Sequence, residues 1–240
     1  METNPAKQIL VVAAHSDDEA LGCGGAIAKH AELGDRISLI CLTDGVGSRE
    51  TASDREVGSR RKALESAAQV LGIAEVHQLN FPDNAMDSVP LLEIVQAIES
   101  CMTSRELPDR VYTHFAGDLN VDHRIAREAV LTCFRPQPQM KGKPSEILAF
   151  EVLSSTHWAG AMADRVFAPN YFVDISSTLE KKVEALQCYS EEMREWPHAR
   201  SVESVCHLSK FRGASVGLES AEAFFIERMI ESPTVRKPGG

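Results

Sequence analysis

Ile9-Leu10-Val11-Val12-Ala13-Ala14-His15-Ser16-Asp17-Asp18-Glu19 passes from six apolar residues into an imidazole and three acids within one turn. An apolar run of this kind reads as a strand buried on both faces, as in a parallel sheet covered by helices. Three carboxylates packed behind such a strand repel one another and cost stability unless something positive sits among them. A divalent metal is the simplest source of that charge, and the useful one for hydrolysis.

Outward from this segment the chain alternates. Apolar runs at 8–14, 36–43, 75–81, 110–115 and 146–153 predict strands, with helical patterns between them at about 20–33, 54–71, 88–103 and 122–134. Gly34 and Gly72 stand where C-terminal helix caps belong, and Asp87 or Ser88 is placed to cap the third helix. Strand and helix in alternation imply parallel strands joined by right-handed crossovers. The Pro-rich run Arg135–Pro144 breaks the rhythm as a surface loop. Beyond it come a strand at 171–175, helices at 177–193 and 201–211, and the segment Ala221–Ile230. The expected fold class is α/β: a Rossmann-like, mainly parallel sheet flanked by helices, with a C-terminal cap segment. It forms a single domain over 1–230, with a core at 1–153, a cap at 154–230 and a disordered polar tail at 231–240.

The 240 residues are 43% hydrophobic and 25% charged, which suits one such domain. A net charge of -10 argues against a nucleic-acid partner, whose footprint is basic. No apolar stretch approaches the roughly 20 residues of a membrane span, and the N-terminus lacks a signal-peptide pattern. Six scattered cysteines without a C-x-x-C pair fit a reducing, cytoplasmic setting as small core residues. A homo-oligomer is compatible with all of this.

In an open parallel sheet, ligands bind beyond the carboxyl ends of the strands, where strand order reverses. His15, Asp17 and Asp18 follow the first strand; Gly117-Asp118-Leu119-Asn120-Val121-Asp122-His123 follows the fourth. Catalytic zinc takes three ligands from His, Asp or Glu and keeps one position for water. His15, Asp18 and His123 supply that set, which leaves Asp17 free to act on the water. Fe2+ suits the same ligands.

The run Ala14-His15-Ser16-Asp17-Asp18-Glu19, with Asp122-His123-Arg124 downstream, resembles the PIG-L/LmbE-like family of zinc-dependent de-N-acetylases. Ser16 stands where the family's usual motif, Ala-His-Pro-Asp-Asp-Glu, has proline; the change affects loop stiffness and removes no ligand. Looser resemblance runs through Arg60, Phe81-Pro82-Asp83-Asn84, Arg212-Gly213 and Glu222-Ala223-Phe224. By that resemblance His15, Asp18 and His123 are metal ligands and Asp17 is the general base. The implied reaction is removal of acetyl from an N-acetylated amino sugar or its conjugate by attack of a zinc-bound water. Asp17 would take the proton and return it to the departing amine. Asp122 would orient a neighbouring imidazole, and Arg60 is a substrate-binding candidate. Where many members carry a histidine three positions before the second ligand histidine, this chain has Asn120. Either its amide donates to the oxyanion alone, or His198 or His114 completes the site. His198 is favoured because the cap is the natural wall of the crevice, and nearby Arg200 could meet an anionic substrate.

Plainer roles compete at several positions. Acids at a helix start favour its dipole, and Asp83-Asn84 after Pro82 can simply turn the chain. Trp158 and Trp196 could line a sugar face, though packing is the commoner role. Gly22-Cys23-Gly24-Gly25 resembles a dinucleotide loop but lies inside the helix, with acids in the turn that would repel a pyrophosphate. Those glycines more naturally let the first helix approach the sheet. Two rival functions remain: an amidohydrolase acting on a small non-sugar amide, and a metal-retaining carbohydrate-binding protein without turnover. Asp17 disfavours the second, because binding a sugar needs no base beside a metal.

Overall fold

The computed structural model describes residues 5–45, 54–102, 107–160, 162 and 165–231. Five strands run parallel: β1 (Gln8–Ala13), β2 (Arg36–Thr43), β3 (Glu75–Phe81), β4 (Arg110–His114) and β5 (Glu146–Phe150). Four helices alternate with them: α1 (Asp18–Glu32), α2 (Asp54–Leu71), α3 (Leu91–Cys101) and α4 (Val121–Cys133). They are followed by β6 (Tyr171–Asp174), α5 (Leu179–Cys188), α6 (Val202–Ala214) and β7 (Ala221–Met229). The sheet order is β3-β2-β1-β4-β5-β7-β6, with β7 antiparallel to both of its neighbours. The last third is thus only in part a cap. Its two strands extend the main sheet, and its helices and loops cover one side. The expected tail lies, past Glu231, outside the described residues.

Strand alternation divides the core. Val11, Ala13, Leu39, Cys41, Leu148 and Phe150 face the layer of α1, α2 and α5. Leu10, Val12, Ile40, Leu42, Val111 and Ile147 face α3 and α4. Both faces are buried here, which explains why residues 9–14 and 39–42 read as unbroken apolar runs. Gly34 and Gly72 end α1 and α2 with φ of 81° and 75°. The third helix starts differently from the sequence reading: Pro90 occupies its N-cap position, and Ser88 Oγ bonds back to the Ala85 carbonyl.

The glycines of α1 do bring the helix close to its neighbours. A Cβ on Gly22 would lie 2.2 Å from the Phe150 ring, and one on Gly25 2.8 Å from Ile175. The helix also breaks at Cys23 (φ -145°, ψ 22°). The freed N–H groups of Gly25 and Ala26 donate to the Glu222 carboxylate of β7 at 2.9 and 2.7 Å. Lys182 Nζ closes this buried network onto Glu222 and the Leu21 carbonyl. All six cysteines are free thiols, three of them buried. Among the described residues no helix is long and apolar enough to cross a membrane.

Candidate metal centre and active site

Strand order reverses between β1 and β4, and the polar turns that follow these two strands meet there. From the first come His15, Asp17 and Asp18; from the second, Asp118, Asp122 and His123, all buried. His15 Nδ1, Asp18 Oδ2 and His123 Nε2 converge. The three edges are 3.1 Å (His15–Asp18), 3.2 Å (His123–Asp18) and 3.3 Å (His15–His123). Ligand bonds of about 2.0–2.1 Å in a tetrahedral site imply ligand–ligand edges of about 3.3 Å.

The outer nitrogens explain why these atoms fit a cation. His15 Nε2 lies 3.1 Å from Asp122 Oδ2 and 3.2 Å from Asp83 Oδ1. His123 Nδ1 lies 3.1 Å from Asp118 Oδ2. Each carboxylate draws the ring hydrogen outward, so both inner nitrogens turn lone pairs toward Asp18. Without a positive charge that arrangement repels itself, and protonation is the metal-free remedy. Burial opposes charge on His15, but its bonds to Asp122, Asp18 and Asp83 hold the ring well above its ordinary pKa. Against its own burial, the charge of Asp18 and the bond to Asp118 push His123 up to about 9. Asp18 Oδ1 is buried without a partner among the described residues, a further acceptor for a metal. The donor set fits one divalent ion. His15, Asp83 and Asp122 form a second close group. Asp122, however, is already committed to the backbone N–H groups of Asn84 (2.6 Å) and Met86 (3.0 Å), so this group reads as support for His15.

Asp17 starts α1 with φ of 120°, a strained conformation for a residue with a Cβ. Its Oδ2 is held by Arg200 Nη1 at 3.0 Å and Arg60 Nη2 at 3.3 Å. Its Oδ1 is buried and has no partner among the described residues. Arg60 reaches this position from α2 and also bonds Ser16 and, at 2.7 Å, Glu192. It is only 7% exposed, so the structure makes it a clamp on the turn rather than an open substrate contact. Arg200 Nε bonds Ser154 Oγ at 3.1 Å. Its side chain is 24% exposed, which leaves it facing the crevice.

Asn120 caps α4, its oxygen accepting from Asp122 N–H at 2.8 Å and its nitrogen donating to Asn84 Oδ1 at 3.0 Å. The amide orientation is therefore fixed, with its donor side away from the helix. The structure does not bring His198 to the cluster. It is exposed, its Nδ1 accepts from Arg200 N–H, and its ring stands against Trp158. The residue of that loop that enters the site is Arg200. His114 is no substitute: its Nε2 accepts from Ala14 N–H at 2.8 Å, and burial holds its pKa well below the ordinary value. It stacks on His123 at 3.9 Å and fixes that ring.

The roles of several residues were not legible from sequence. Asp118 binds His123 and is itself held by Ser155 Oγ (3.0 Å) and Thr156 Oγ1 (2.7 Å). Glu19 receives Tyr189 O–H at 2.6 Å and Asp17 N–H at 3.1 Å, and burial raises its pKa to about 7. Arg212 grips Glu151 with two bonds of 2.8 and 2.6 Å, anchoring the segment that carries Ser154–Thr156. Asp83 does more than turn the chain, since the turn delivers it to His15.

This arrangement can be set beside known proteins. The PIG-L family, described as GlcNAc-PI de-N-acetylase, matches residues 10–134. The uncharacterized deacetylase YaiS of Escherichia coli (strain K12) is 32% identical over 153 residues, covering 61% of this chain and 80% of that protein. A 4-oxalmesaconate hydratase of Pseudomonas putida is 29% identical over 213 residues, covering 81% and 77%. Diacetylchitobiose deacetylase of Thermococcus kodakarensis is 29% identical over 205 residues, covering 80% and 72%. Among solved structures, the N,N'-diacetylchitobiose deacetylase of Pyrococcus horikoshii superposes with a TM-score of 0.73 at 24% identity, over 92% of this chain and 84% of that one; it has the same fold. The chain that places His15, Asp18 and His123 at this switch point belongs to the PIG-L family.

Proposed function

We propose that this protein is a metal-dependent hydrolase that removes the acetyl group from an N-acetylated amino sugar or sugar conjugate. The observation that carries the reading is the triad of lone-pair donors with edges of 3.1–3.3 Å beside a carboxylate whose Oδ1 has no partner among the described residues. His15, Asp18 and His123 would hold the ion, Zn2+ or Fe2+. A bound divalent ion supplies Lewis acidity, which lowers the pKa of a water to about 7 and polarises a carbonyl.

The chain's own groups do the rest. Asp17 takes the proton of the attacking water at Oδ1 while Arg60 and Arg200 hold Oδ2, and it returns that proton to the departing amine. Asn120 presents its remaining N–H to the carbonyl oxygen as negative charge develops. Asp118 and Asp122 set the tautomers of His123 and His15. Arg200 is the cation left to meet a polar or anionic part of the substrate. Free thiols throughout fit a reducing cytoplasm.

A second reading is hydration of an unsaturated carboxylate. Arg200, partly exposed beside the Asp17 carboxylate, favours it, since guanidinium suits carboxylate recognition; so does the hydratase among the relatives. One assay separates the readings: metal-loaded protein is incubated with a panel of N-acetyl sugars, small non-sugar acetamides and unsaturated dicarboxylates. Acetate from the sugars supports the proposal, and acetate only from the other amides shifts the substrate class. Loss of ultraviolet absorbance from the dicarboxylates without acetate installs the hydratase, and sugar binding without turnover refutes an enzyme. Asp17→Asn should keep the metal and lose activity by about 10²–10⁴-fold.

A further inference from the structure

Asp17 enters α1 with φ of 120° and ψ of -24°, a backbone shape that a residue with a Cβ keeps only when its surroundings impose it. Arg60 and Arg200 hold its carboxylate at Oδ2, and the backbone is held separately. The N–H of Asp17 donates to Glu19 Oε2 at 3.1 Å, which closes the strained turn. Glu19 is fully buried, so its other oxygen also needs a donor, and Tyr189 O–H supplies one to Oε1 at 2.6 Å. Tyr189 follows the last residue of α5, a helix packed on both α1 and α2, and is 1% exposed. Its ring makes a second contact with the same turn. The Arg60 guanidinium stands 5.5 Å from the ring centroid, and from there it reaches Ser16 Oγ and Asp17 Oδ2.

We propose that Tyr189 is a positioning residue for Asp17, holding its backbone through Glu19 and its carboxylate through Arg60, so that Oδ1 stays free for the attacking water. The inference rests on the reading of Asp17 as general base and deepens it. A phenylalanine would satisfy packing alone at this depth. The hydroxyl adds one hydrogen bond among the described residues, and its acceptor is the carboxylate that closes the Asp17 turn. Without that donor, Glu19 Oε1 is left buried and unpaired, and the carboxylate gains by turning away from the Asp17 N–H.

The test uses the zinc-loaded full chain, with N-acetylglucosamine as the probe for turnover and amide exchange followed by nuclear magnetic resonance as the probe for the turn. Tyr189→Phe should lower kcat by about tenfold, part of the roughly 10²-fold that a displacement of about 1 Å can cost. KM and zinc affinity should stay within about twofold. Exchange of the Asp17 N–H should quicken by about tenfold, as loss of one buried hydrogen bond allows, while Val11 and Leu39 in the sheet keep their rates. Glu19→Gln, whose single amide oxygen cannot accept from both Tyr189 and Asp17, should reproduce the pattern. In an Asp17→Asn background Tyr189→Phe should cause no further loss of kcat, because the group it positions no longer acts. A loss that persists in full in that background, or unchanged exchange at Asp17, overturns the positioning role. A fall in zinc affinity matching the fall in kcat overturns it too, and makes Tyr189 a support of the metal ligands. If wild type releases no acetate, the deacetylase reading fails for this sugar, and the exchange of the Asp17 N–H alone decides whether Tyr189 holds the turn.

Discussion

Asp118→Asn probes the site through a residue that touches no substrate. Oδ2 of Asp118 faces three groups: His123 Nδ1 at 3.1 Å, Ser155 Oγ at 3.0 Å and Thr156 Oγ1 at 2.7 Å. Oδ1 accepts from Asn120 N–H at 2.9 Å. Despite burial, the bond to His123 keeps the Asp118 carboxyl below the usual carboxylate range, so it is charged at neutral pH. An amide at this position has one oxygen for two acceptor roles. Turned to satisfy the three donors, it sets its NH2 against Asn120 N–H; turned the other way, it faces His123 with donors. The first orientation loses one buried hydrogen bond, about 1–3 kcal/mol of stability. It also leaves His123 oriented by a neutral acceptor and less basic at Nε2. Second-layer substitutions of this kind lower metal affinity by about 10–100-fold, or about 1.4–2.8 kcal/mol. Competition with a chromophoric chelator measures that affinity directly, and circular dichroism checks the fold. Activity at saturating metal should recover to within several-fold. An unchanged affinity in a folded Asp118→Asn protein would show that His123 does not present Nε2 to a metal.

Three further outcomes follow from other parts of the structure. Asn120→Ala should lower kcat by about 10²–10³-fold with metal retained, as for a strong oxyanion donor, while His198→Ala leaves turnover of a monosaccharide nearly intact; the reverse pattern would return the role to His198. Metal binding should release protons, because His15 and His123 are raised in the metal-free protein, the latter to about 9. Affinity therefore rises with pH from neutrality to at least about pH 9, and calorimetry at pH 7 in buffers of different ionisation heat should give one to two protons, not zero. Gly22→Ala puts a Cβ 2.2 Å from the Phe150 ring and should cost about 1–3 kcal/mol or more, seen as a drop in Tm; an unaltered Tm would mean that the helix is free to move off the sheet.

Local patterns carried the fold furthest. β1 and β2 could be placed because each carries an apolar run with a turn signal behind it, and the alternation with helices implied their parallel pairing. β7 could not be typed: Ala221-Glu222-Ala223-Phe224 mixes buried and paired positions, and the partners that let Glu222 be buried are distant in sequence, two N–H groups freed where α1 breaks at Cys23 and the Lys182 ammonium. Site residues separate in the same way. His15, Asp18 and His123 stand out in short motifs, whereas Asp118 in Gly117-Asp118-Leu119-Asn120 resembles an ordinary turn residue. Its partners Ser155 and Thr156 lie 37 and 38 positions away. Arg200 meets Asp17 across 183 positions, a pairing that only the folded C-terminal segment creates.

The central claim is that a single divalent ion sits among His15 Nδ1, Asp18 and His123 Nε2. X-ray absorption on protein prepared without chelator tests it most directly. The expected result is one metal per chain with two imidazole nitrogens and carboxylate or water oxygens at about 2.0–2.1 Å, and a spectrum that loses an imidazole, or the metal itself, in His15→Ala and in His123→Ala. Sulfur ligation at about 2.3 Å, or a spectrum and metal content unchanged by both substitutions, would contradict it.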